Sequence, residues 1–290
     1  MISLYIYYLY MSPLLCIGQY NESSRVKGLR ENVLDIQRQL KLILKKLKVD
    51  TIVFPRKYME HSSYNILWVR DIFVNLDNDI QILKCDPRQR GNDHILAQRL
   101  FRDDTFKNKS VKVPQNNDSI KIEGGDIIEY KDIIFVGLSK RTNAKGIHFL
   151  KSQLATHYNK KVIVISHNAL HLDCVFNILP CQNAIIYNSS YIPRLNKREI
   201  HQVADITDII SIDSIIPDLR LNTNLLTNYI FIYPNHIIIS FVPKFQPFYD
   251  FLKQLNYNIH FVRFSNFERF GGSIRCFTQW IITSRHQILL

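Results

Sequence analysis

The sequence predicts an α/β protein in which many short β-β-α units follow one another in a single domain. Hairpin patterns and single helices are mixed along the chain, and the regular β-α-β alternation of a doubly wound sheet is absent. No composition shift, low-complexity segment or repeating period marks a boundary within the 290 residues. A length of this order suits one large domain or two small ones. The hydrophobic content of 46% is ordinary for a globular protein with a sizeable core.

The elements of the first half follow from apolar runs and from the polar residues or prolines that end them. Residues 38–48, "RQLKLILKKLK", mix leucines with lysines as an amphipathic surface helix does, and we predict a helix over 31–48. The other predicted elements are a buried strand at 51–55 ending at Pro55, an extended run at 66–76, a strand at 79–85, a helix at 93–102 and a polar loop at 104–119.

Two hairpins dominate the second half. Residues 126–138, "DIIEYKDIIFVGL", place two apolar runs around a short polar turn, and residues 228–241 turn at Pro234-Asn235. We predict helices at 145–157, 171–179 and 245–255, and strands at 161–166, 183–188, 209–212, 258–264 and 277–283.

The N-terminal stretch "MISLYIYYLYMSPLLCIG" is apolar and aromatic. It lacks the basic n-region of a signal peptide, Pro13 interrupts it, and a bilayer span needs about 20 apolar residues. We therefore assign residues 1–25 to a leader and 26–290 to the single domain, with no membrane association. A disordered segment, an extra strand and a start-codon artefact, with Met11 as a second start, remain open for the leader.

Charge and cysteine content restrict the partners and the compartment. The net charge of +12 favours anionic partners or substrates that carry a carboxylate, and the basic cluster at 38–48 suits a solvated helix face better than a nucleic-acid patch. The five cysteines are odd in number and widely spaced, without a CxxC motif, which predicts free thiols in a reducing, cytoplasmic compartment. Cys174 and Cys181 are expected to be buried small hydrophobes.

Three charged motifs interrupt apolar stretches, where an unpaired charge is costly. They are Arg70-Asp71 in "LWVRDIFV", Glu123 and Asp126 in "IEGGDII", and His171 and Asp173 in "LHLDCVFNIL". Each motif alone is explained by a structural ion pair. Together with Cys276, which follows a Gly-Gly pair in a chain of only nine glycines, they are the parts of a thiol nucleophile site.

Carboxylates around a thiol suggest a cationic substrate. A guanidinium group is planar and pairs bidentately with carboxylates. Its central carbon is a poor electrophile, so the attacking group must be strong. A cysteine thiolate is strong enough when a neighbouring cation lowers its pKa.

The segment "IEGGDIIEYKDIIFVGLSKRTNAKGIHFL" (122–150) resembles dimethylarginine dimethylaminohydrolases and their superfamily, which includes arginine deiminases and glycine/inosamine amidinotransferases. The motifs "WVRD" (68–71), "RQRGND" (88–93), "LHLD" (170–173) and "GGSIRCFT" (271–278) occur in the order of that family. The resemblance covers about 30–285, which is nearly the whole chain.

The resemblance implies an α/β-propeller of five pseudo-symmetric ββαβ blades around a central active-site channel. It implies that Cys276 is the nucleophile, His171 the general acid/base, and Glu123 the carboxylate that orients the histidine. Gly271-Gly272 would form the tight loop that presents the thiol, because glycine adopts such backbone conformations without steric cost. The implied substrate-binding residues are Asp71 and Asp173 for the guanidinium, Arg90 and Arg141 for the α-carboxylate or the channel wall, and Asn65 and Trp68 along the site.

The implied activity is that of a dimethylarginine dimethylaminohydrolase-like enzyme, a thiol-dependent amidine hydrolase. It would release citrulline and an amine through a covalent Cys thiouronium intermediate, with no metal and no organic cofactor. An arginine deiminase-like or citrulline hydrolase, an amidinotransferase, and a non-catalytic basic binding protein on the same fold remain alternatives. The expected partner is a guanidino small molecule, arginine or a methylated arginine, without nucleic acid; a homodimer stays open.

Several positions of this chain are similar to different members of the family. Asp93 stands where many members have Glu, which puts the local ion pairing in doubt. Asn65 is similar to arginine deiminases, and "HLD" (171–173) resembles both deiminases and amidinotransferases. In contrast, "VGLSKRTN" (136–143) is similar to dimethylargininases. Residues 72–122 leave no room for the helical insertion that arginine deiminases usually carry.

Overall fold

The computed structural model describes residues 11–19, 28–55, 67–76, 79–86, 90, 93–102, 110–112, 119–157, 160–203, 205–216, 225–264 and 272–284. Within these ranges, fifteen β-strands form five three-stranded sheets. The same ranges contain five α-helices, together with single 3-10 turns.

The strands and helices are numbered in chain order. The strands are β1 Met11–Ile17, β2 Asp50–Val53, β3 Phe73–Leu76, β4 Asp79–Ile82, β5 Ser110–Lys112, β6 Ile127–Tyr130, β7 Ile133–Leu138, β8 Lys161–Ser166, β9 Phe176–Leu179, β10 Ala184–Tyr187, β11 Asp208–Ser211, β12 Ile230–Ile232, β13 His236–Ser240, β14 Asn258–Val262 and β15 Thr278–Ser284. The helices are α1 Leu29–Lys46, α2 Asp93–Phe101, α3 Ala144–His157, α4 Lys197–Val203 and α5 Gln246–Gln254.

All five sheets repeat one pattern. The middle strand pairs antiparallel with one neighbour and parallel with the other, in the orders β15-β1-β2, β3-β4-β5, β6-β7-β8, β9-β10-β11 and β12-β13-β14. One α-helix lies between the two parallel strands of each sheet in the sequence, because parallel neighbours need a crossover rather than a tight turn. The chain is therefore built of five ββαβ units, and their arrangement as a propeller stays a prediction.

The first compact unit comprises Met1–Asn117 and Cys276–Leu290 and contains the sheets of β1 to β5 and β15. The side chains of Phe54, Phe73 and Phe101 are buried in its apolar core. Strand β1 lies inside the predicted leader and forms the middle of its sheet, so an extra strand is what residues 11–17 form. The remaining leader residues 1–10 and 20–25 lie outside the described ranges.

The second compact unit comprises Asp118–Arg275 and contains the other three sheets. Tyr229, Phe248 and Tyr249 are fully buried in its main apolar cluster. Asparagines start two of its helices: Asn143 Oδ1 accepts the N–H of Gly146 at 2.8 Å before α3, and Asn196 Oδ1 accepts the N–H of Glu199 at 3.2 Å before α4. The assignment of residues 26–290 to one domain stays a prediction.

Both predicted hairpins are confirmed, as β6-β7 and β12-β13. The predicted helix at 171–179 is wrong. Leu172–Cys174 is a single 3-10 turn, and Phe176–Leu179 is strand β9, paired with β10. All four β9 residues are buried, and a short, continuously apolar run does not distinguish a strand from a helix by its periodicity.

Three further differences concern short elements. The predicted loop at 104–119 contains strand β5, and the extended run at 66–76 begins with a 3-10 turn, Val69–Asp71, before β3. Helix α4 was not predicted. In the described part of the chain, no helix combines the length and the apolar character that crossing a bilayer requires.

Candidate active site

A buried carboxylate–imidazole pair forms the centre of the candidate site in the second unit. Glu123 Oε2 lies 2.7 Å from His171 Nε2, and the exposed fractions of the two side chains are 0% and 4%. The Glu123 carboxylate can accept a hydrogen bond from a protonated Nε2 of His171, which would fix the orientation of the ring. The pair therefore suits general acid–base chemistry.

Gly125 explains why the acidic motif needs glycine next to this pair. A Cβ atom at position 125 would lie 2.6 Å from His171 Cγ and 2.7 Å from its Nδ1. The Gly125 backbone therefore packs directly against the imidazole, and any side chain would displace the ring.

Asp126 holds the backbone beside the same histidine. Its carboxylate accepts the N–H of Leu172 at 2.8 Å and the hydroxyl of Ser139 at 2.8 Å, and Oδ1 lies 2.9 Å from His167 Nε2. Burial by itself raises the pKa of Asp126, but the hydrogen bond from His167, the charges of His171 and His167 and a hydrogen bond from Thr142 outweigh it, so that the pKa lies below its usual value. Glu123 thus contacts the His171 ring while Asp126 fixes the adjoining peptide.

The segment "SKRTN" (139–143) contacts the acidic motif "EGGD" (123–126) and Lys121, two residues before it. The Glu123 N–H donates to Thr142 Oγ1 at 3.1 Å, and Arg141 Nη1 lies 3.3 Å from Glu123 Oε1. The Asn143 N–H donates to the carbonyl of Lys121 at 3.0 Å. The two motifs that carried the family resemblance are therefore contact partners that fix the Glu123 carboxylate.

Asp173, the predicted guanidinium ligand, is fully buried and already faces a cation of this chain. Its Oδ2 lies 3.7 Å from Arg275 Nε, and its Oδ1 accepts from Asn228 Nδ2 at 3.4 Å. Arg275 and Asn228 are not among the binding residues predicted from the sequence. The presence of arginine directly before Cys276 was visible in "IRCF", but the long-range partners were not.

In the first unit, Arg90 forms ion pairs with Asp71 and Asp93 and a hydrogen bond with Trp68. Arg90 Nη1 lies 3.5 Å from Asp71 Oδ2, Arg90 Nε lies 3.3 Å from Asp93 Oδ2, and Nη2 donates to the Trp68 carbonyl at 2.9 Å. All four residues are buried. Asp93 therefore forms the local ion pair that the sequence left in doubt, and three of the predicted binding residues, Asp71, Arg90 and Trp68, share one cluster.

Cys276 lies in the turn that leads into β15 and is buried. Its carbonyl accepts the N–H of Arg70 at 3.3 Å, next to Asp71. The Arg70 guanidinium in turn donates to Gln279 Oε1 at 2.6 Å. In the same unit the structure brings together the motifs "WVRD" (68–71) and "CFT" (276–278), whereas Asn65 and Gly271 lie outside the described residues.

The other cysteines differ from Cys276 in surroundings. Burial raises the pKa of the Cys16 thiol to about 12, so this thiol stays protonated. Cys174 is buried as expected, but the same expectation for Cys181 is wrong, because Cys181 lies exposed in the Pro180–Gln182 turn.

A three-ligand cluster occurs beside the candidate site. His171, Asp173 and Cys174 each offer a ligand atom, and these atoms lie within 4.8 Å of one another. His171 Nε2 already contacts Glu123, and Cys174 Sγ lies 3.6 Å from Asp173 Oδ1. The cluster is therefore explained by contacts within the protein, and the predicted metal independence stays a prediction.

Two solved structures share this fold along nearly the whole chain. The amidinotransferase SxtG of Microseira wollei, from the saxitoxin biosynthetic pathway, is 18% identical with a TM-score of 0.71, covering 95% of this chain and 96% of its own. A dimethylarginine dimethylaminohydrolase variant of Pseudomonas aeruginosa in complex with citrulline is 17% identical with a TM-score of 0.70, covering 94% and 99%. Both are guanidine-modifying proteins, and identities this low establish the fold alone.

The sequence model of arginine deiminase matches residues 13–211 of the 290, and the chain belongs to the arginine deiminase family. The matched range includes Asp71, Glu123, His171 and Asp173 but not Cys276. The uncharacterized protein YkgA of Bacillus subtilis (strain 168) is 29% identical over 217 residues, which are 74% of this chain and 69% of YkgA. The resemblance to guanidine-modifying enzymes is thereby confirmed.

Proposed function

We propose that the protein is a thiol-dependent hydrolase that acts on the guanidinium carbon of arginine-type substrates. The observation that carries the proposal is the buried Glu123–His171 contact of 2.7 Å, with the imidazole seated on Gly125. The family and the structural neighbours are amidine-modifying enzymes, and this pair supplies the acid–base group that such chemistry requires.

In the first half-reaction, the Cys276 thiolate attacks the guanidinium carbon and a C–S bond forms. His171 donates its proton to the departing nitrogen as the C–N bond breaks, and an amine or ammonia leaves. The product on the protein is an S-substituted thiouronium, whose positive charge is retained from the guanidinium. Splitting one difficult displacement into two steps is the general advantage of a covalent nucleophile.

In the second half-reaction, His171, now neutral, accepts a proton from water as the oxygen attacks the same carbon. The C–S bond breaks, the thiolate is regenerated, the remaining hydroxyl proton passes to solvent and a neutral ureido product leaves. With arginine-type substrates this product is citrulline. The ionised Glu123 keeps the imidazole oriented through both half-reactions and stabilises its protonated form.

The remaining residues divide into guanidinium and carboxylate partners. Asp71 and Asp173 are the proposed guanidinium ligands, since charge-assisted hydrogen bonds to carboxylates contribute about 1.5–3 kcal/mol each. Arg141, with 22% of its side chain exposed, suits the substrate α-carboxylate. Arg90, which contacts both Asp71 and Asp93, suits the support of Asp71.

We further propose that the five ββαβ units form the blades of a propeller in a cytoplasmic enzyme. The equal connectivity of the five sheets and the free cysteines support this arrangement and compartment. Asn65, which lies outside the described residues, is proposed with Trp68 to line the channel.

Two leaving groups distinguish the candidate substrates. Asymmetric N,N-dimethylarginine would release dimethylamine, and arginine would release ammonia. Membership of the arginine deiminase family favours turnover of arginine, whereas "VGLSKRTN" favours the methylated substrate. An amidinotransferase, in which an amine replaces water, is the second candidate because SxtG shares the fold.

The test is incubation with arginine, dimethylarginine, agmatine and citrulline, each with and without an acceptor amine such as glycine. Hydrolysis of the three guanidino substrates produces a ureido compound together with ammonia or dimethylamine, whereas hydrolysis of citrulline consumes its ureido group and produces ornithine, carbon dioxide and ammonia. Transfer produces a new guanidino compound only when the acceptor amine is present. No product from any of these substrates would contradict the proposal.

A further inference from the structure

Asn228 connects two segments that carry proposed catalytic residues. Its side-chain oxygen accepts the backbone N–H of Arg275 at 2.9 Å. Its Nδ2 donates toward Asp173 Oδ1 at 3.4 Å and toward the Asp173 carbonyl at 3.5 Å. One fully buried amide thus bridges the turn that follows His171 and the residue immediately before Cys276.

The Arg275 side chain binds to a second set of acceptors in the same unit. Its Nη1 donates toward the Tyr229 carbonyl at 3.3 Å and toward Asn177 Oδ1 at 3.5 Å, and its Nε lies 3.7 Å from Asp173 Oδ2. Asn177 is itself fixed, because its Nδ2 donates to the Thr227 carbonyl at 2.6 Å. Two oxygen atoms of the second unit therefore accept from Arg275 Nη1, and a third, Asp173 Oδ2, lies at ion-pair distance from Nε.

We propose that Arg275 and Asn228 are positioning residues: they anchor the peptide that precedes Cys276 and hold the Asp173 carboxylate in its orientation. This inference rests on the proposed function, in which Cys276 attacks and Asp173 binds the guanidinium. Backbone and side chain of Arg275 are both held, so little freedom remains for the following residue. Misplacing a reacting atom by about 1 Å costs on the order of 100-fold in rate.

The geometry of the contacts requires arginine rather than a positive charge alone. A lysine at 275 could neutralise Asp173, but its single ammonium group cannot reach the three acceptors in the planar arrangement of a guanidinium. We therefore expect Arg275→Lys to keep the local charge and lose the anchor. Asn228→Ala removes the bridge from the other side.

The experiment measures kcat, KM and thermal midpoint for wild type, Arg275→Lys and Asn228→Ala, with Arg194→Lys as the exposed control. The substrate is the best one found in the panel, and kcat is expressed per mole of folded protein. We expect kcat to fall at least tenfold in both variants, KM to change less than threefold, and Arg194→Lys to match wild type. The rate at which iodoacetamide alkylates Cys276, followed by peptide mass spectrometry, should change in both variants across pH 6–9.

Three outcomes separate the inference from the proposed function. Equal kcat and equal alkylation profiles in wild type and Arg275→Lys would overturn the positioning role while leaving the hydrolase intact. A lower thermal midpoint with unchanged kcat per folded protein would show a purely structural role and would also overturn it. Wild type that turns over no guanidino substrate would overturn both. Where Asn228→Ala does not fold, Arg275→Lys and Arg275→Gln provide the measurement.

Discussion

The carboxylate of Asp126 accepts a hydrogen bond from the backbone N–H of Leu172 at 2.8 Å, and Glu123 Oε2, three residues earlier in the chain, lies 2.7 Å from Nε2 of the neighbouring His171. The first and last residues of "EGGD" therefore bind the histidine segment at two points: Glu123 contacts the imidazole side chain, and Asp126 contacts the backbone. The histidine is fixed by a motif that lies 48 residues earlier in the sequence.

Glu123→Gln should lower kcat by about 100-fold or more. The amide keeps the size of the side chain but removes the negative charge that stabilises the protonated imidazole. The measurement is the rate of ureido product formation at saturating substrate. Glu129→Gln, which alters a half-exposed carboxylate paired with Lys160, is the control and should retain activity. Similar kcat values for the two variants would contradict the orienting role.

Gly125→Ala should abolish most activity, because its Cβ would lie 2.6 Å from His171 Cγ and would force the ring away from Glu123. Gly28→Ala is the control, because Gly28 has a positive φ of 73°, at which a side chain is strained, and its Cβ would meet only Asn32 Nδ2 at 3.9 Å. Both variants should lose stability in thermal unfolding. Only Gly125→Ala should lose at least about 100-fold in kcat per folded protein; equal losses would show that the clash acts through stability alone.

Cys276→Ser should lose essentially all turnover, because a serine hydroxyl is not ionised at neutral pH as an activated thiol is. Cys181→Ser should keep most of it, since Cys181 lies exposed in a turn outside the proposed site. Rapid acid quenching of the wild type during turnover should reveal a mass increase on the peptide that contains Cys276. Full activity of the serine variant would refute covalent catalysis by this residue.

Asp126 should contribute pH-dependent stability. Its pKa in the folded protein is lowered, so the contribution is present above the unfolded pKa of about 3.9 and disappears as the pH falls through the folded value. The difference in unfolding free energy between wild type and Asp126→Asn should therefore be largest between about pH 5 and 7 and should shrink toward pH 3. Urea unfolding at these pH values measures it, with the exposed Asp250→Asn as control. A difference that does not depend on pH would contradict the assignment.

Asp173→Ala should weaken turnover of arginine more than turnover of dimethylarginine. Under the proposed function, unmethylated arginine would donate to both Asp71 and Asp173, whereas a methylated nitrogen has fewer donors. A difference of about 1.4 kcal/mol corresponds to a tenfold change in the ratio of the two kcat/KM values. The measurement compares both substrates in wild type and variant, with Asp213→Ala as the control. An equal fall for both substrates would show that Asp173 does not set the preference.

The sequence predicted most elements of the fold because each ββαβ unit has a local signature. Hairpins such as 126–138 show two apolar runs around a polar turn, and α1 shows a clear apolar face. Strand β9 was missed because four successive buried residues carry no period. Strand β5 has three residues within a polar segment, and it is defined by its pairing with β4 rather than by its own composition.

The candidate site was predictable where its residues form compact motifs and not where they depend on distant partners. Glu123 and His171 were named from "EGGD" and "LHLD", and their contact is present. Gln279, which accepts from Arg70 across 209 residues, has no local signature. Asn228 is a single amide beside a predicted hairpin, and only the folded chain shows that it meets Asp173 and Arg275.

The first sheet has a consequence for the order in which the protein can form during synthesis. Its middle strand, β1, pairs with β15 over the full register from Met11↔Ser284 to Ile17↔Thr278. On the ribosome, β1 and β2 emerge long before β15. The edge of β1 that pairs with β15 therefore stays without its partner strand until residues 278–284 have been translated. Cys276 lies two residues before Thr278, the first residue of β15. The thiol segment therefore reaches its final place only when this last pairing closes, and a chain released early carries every other proposed catalytic residue but no nucleophile.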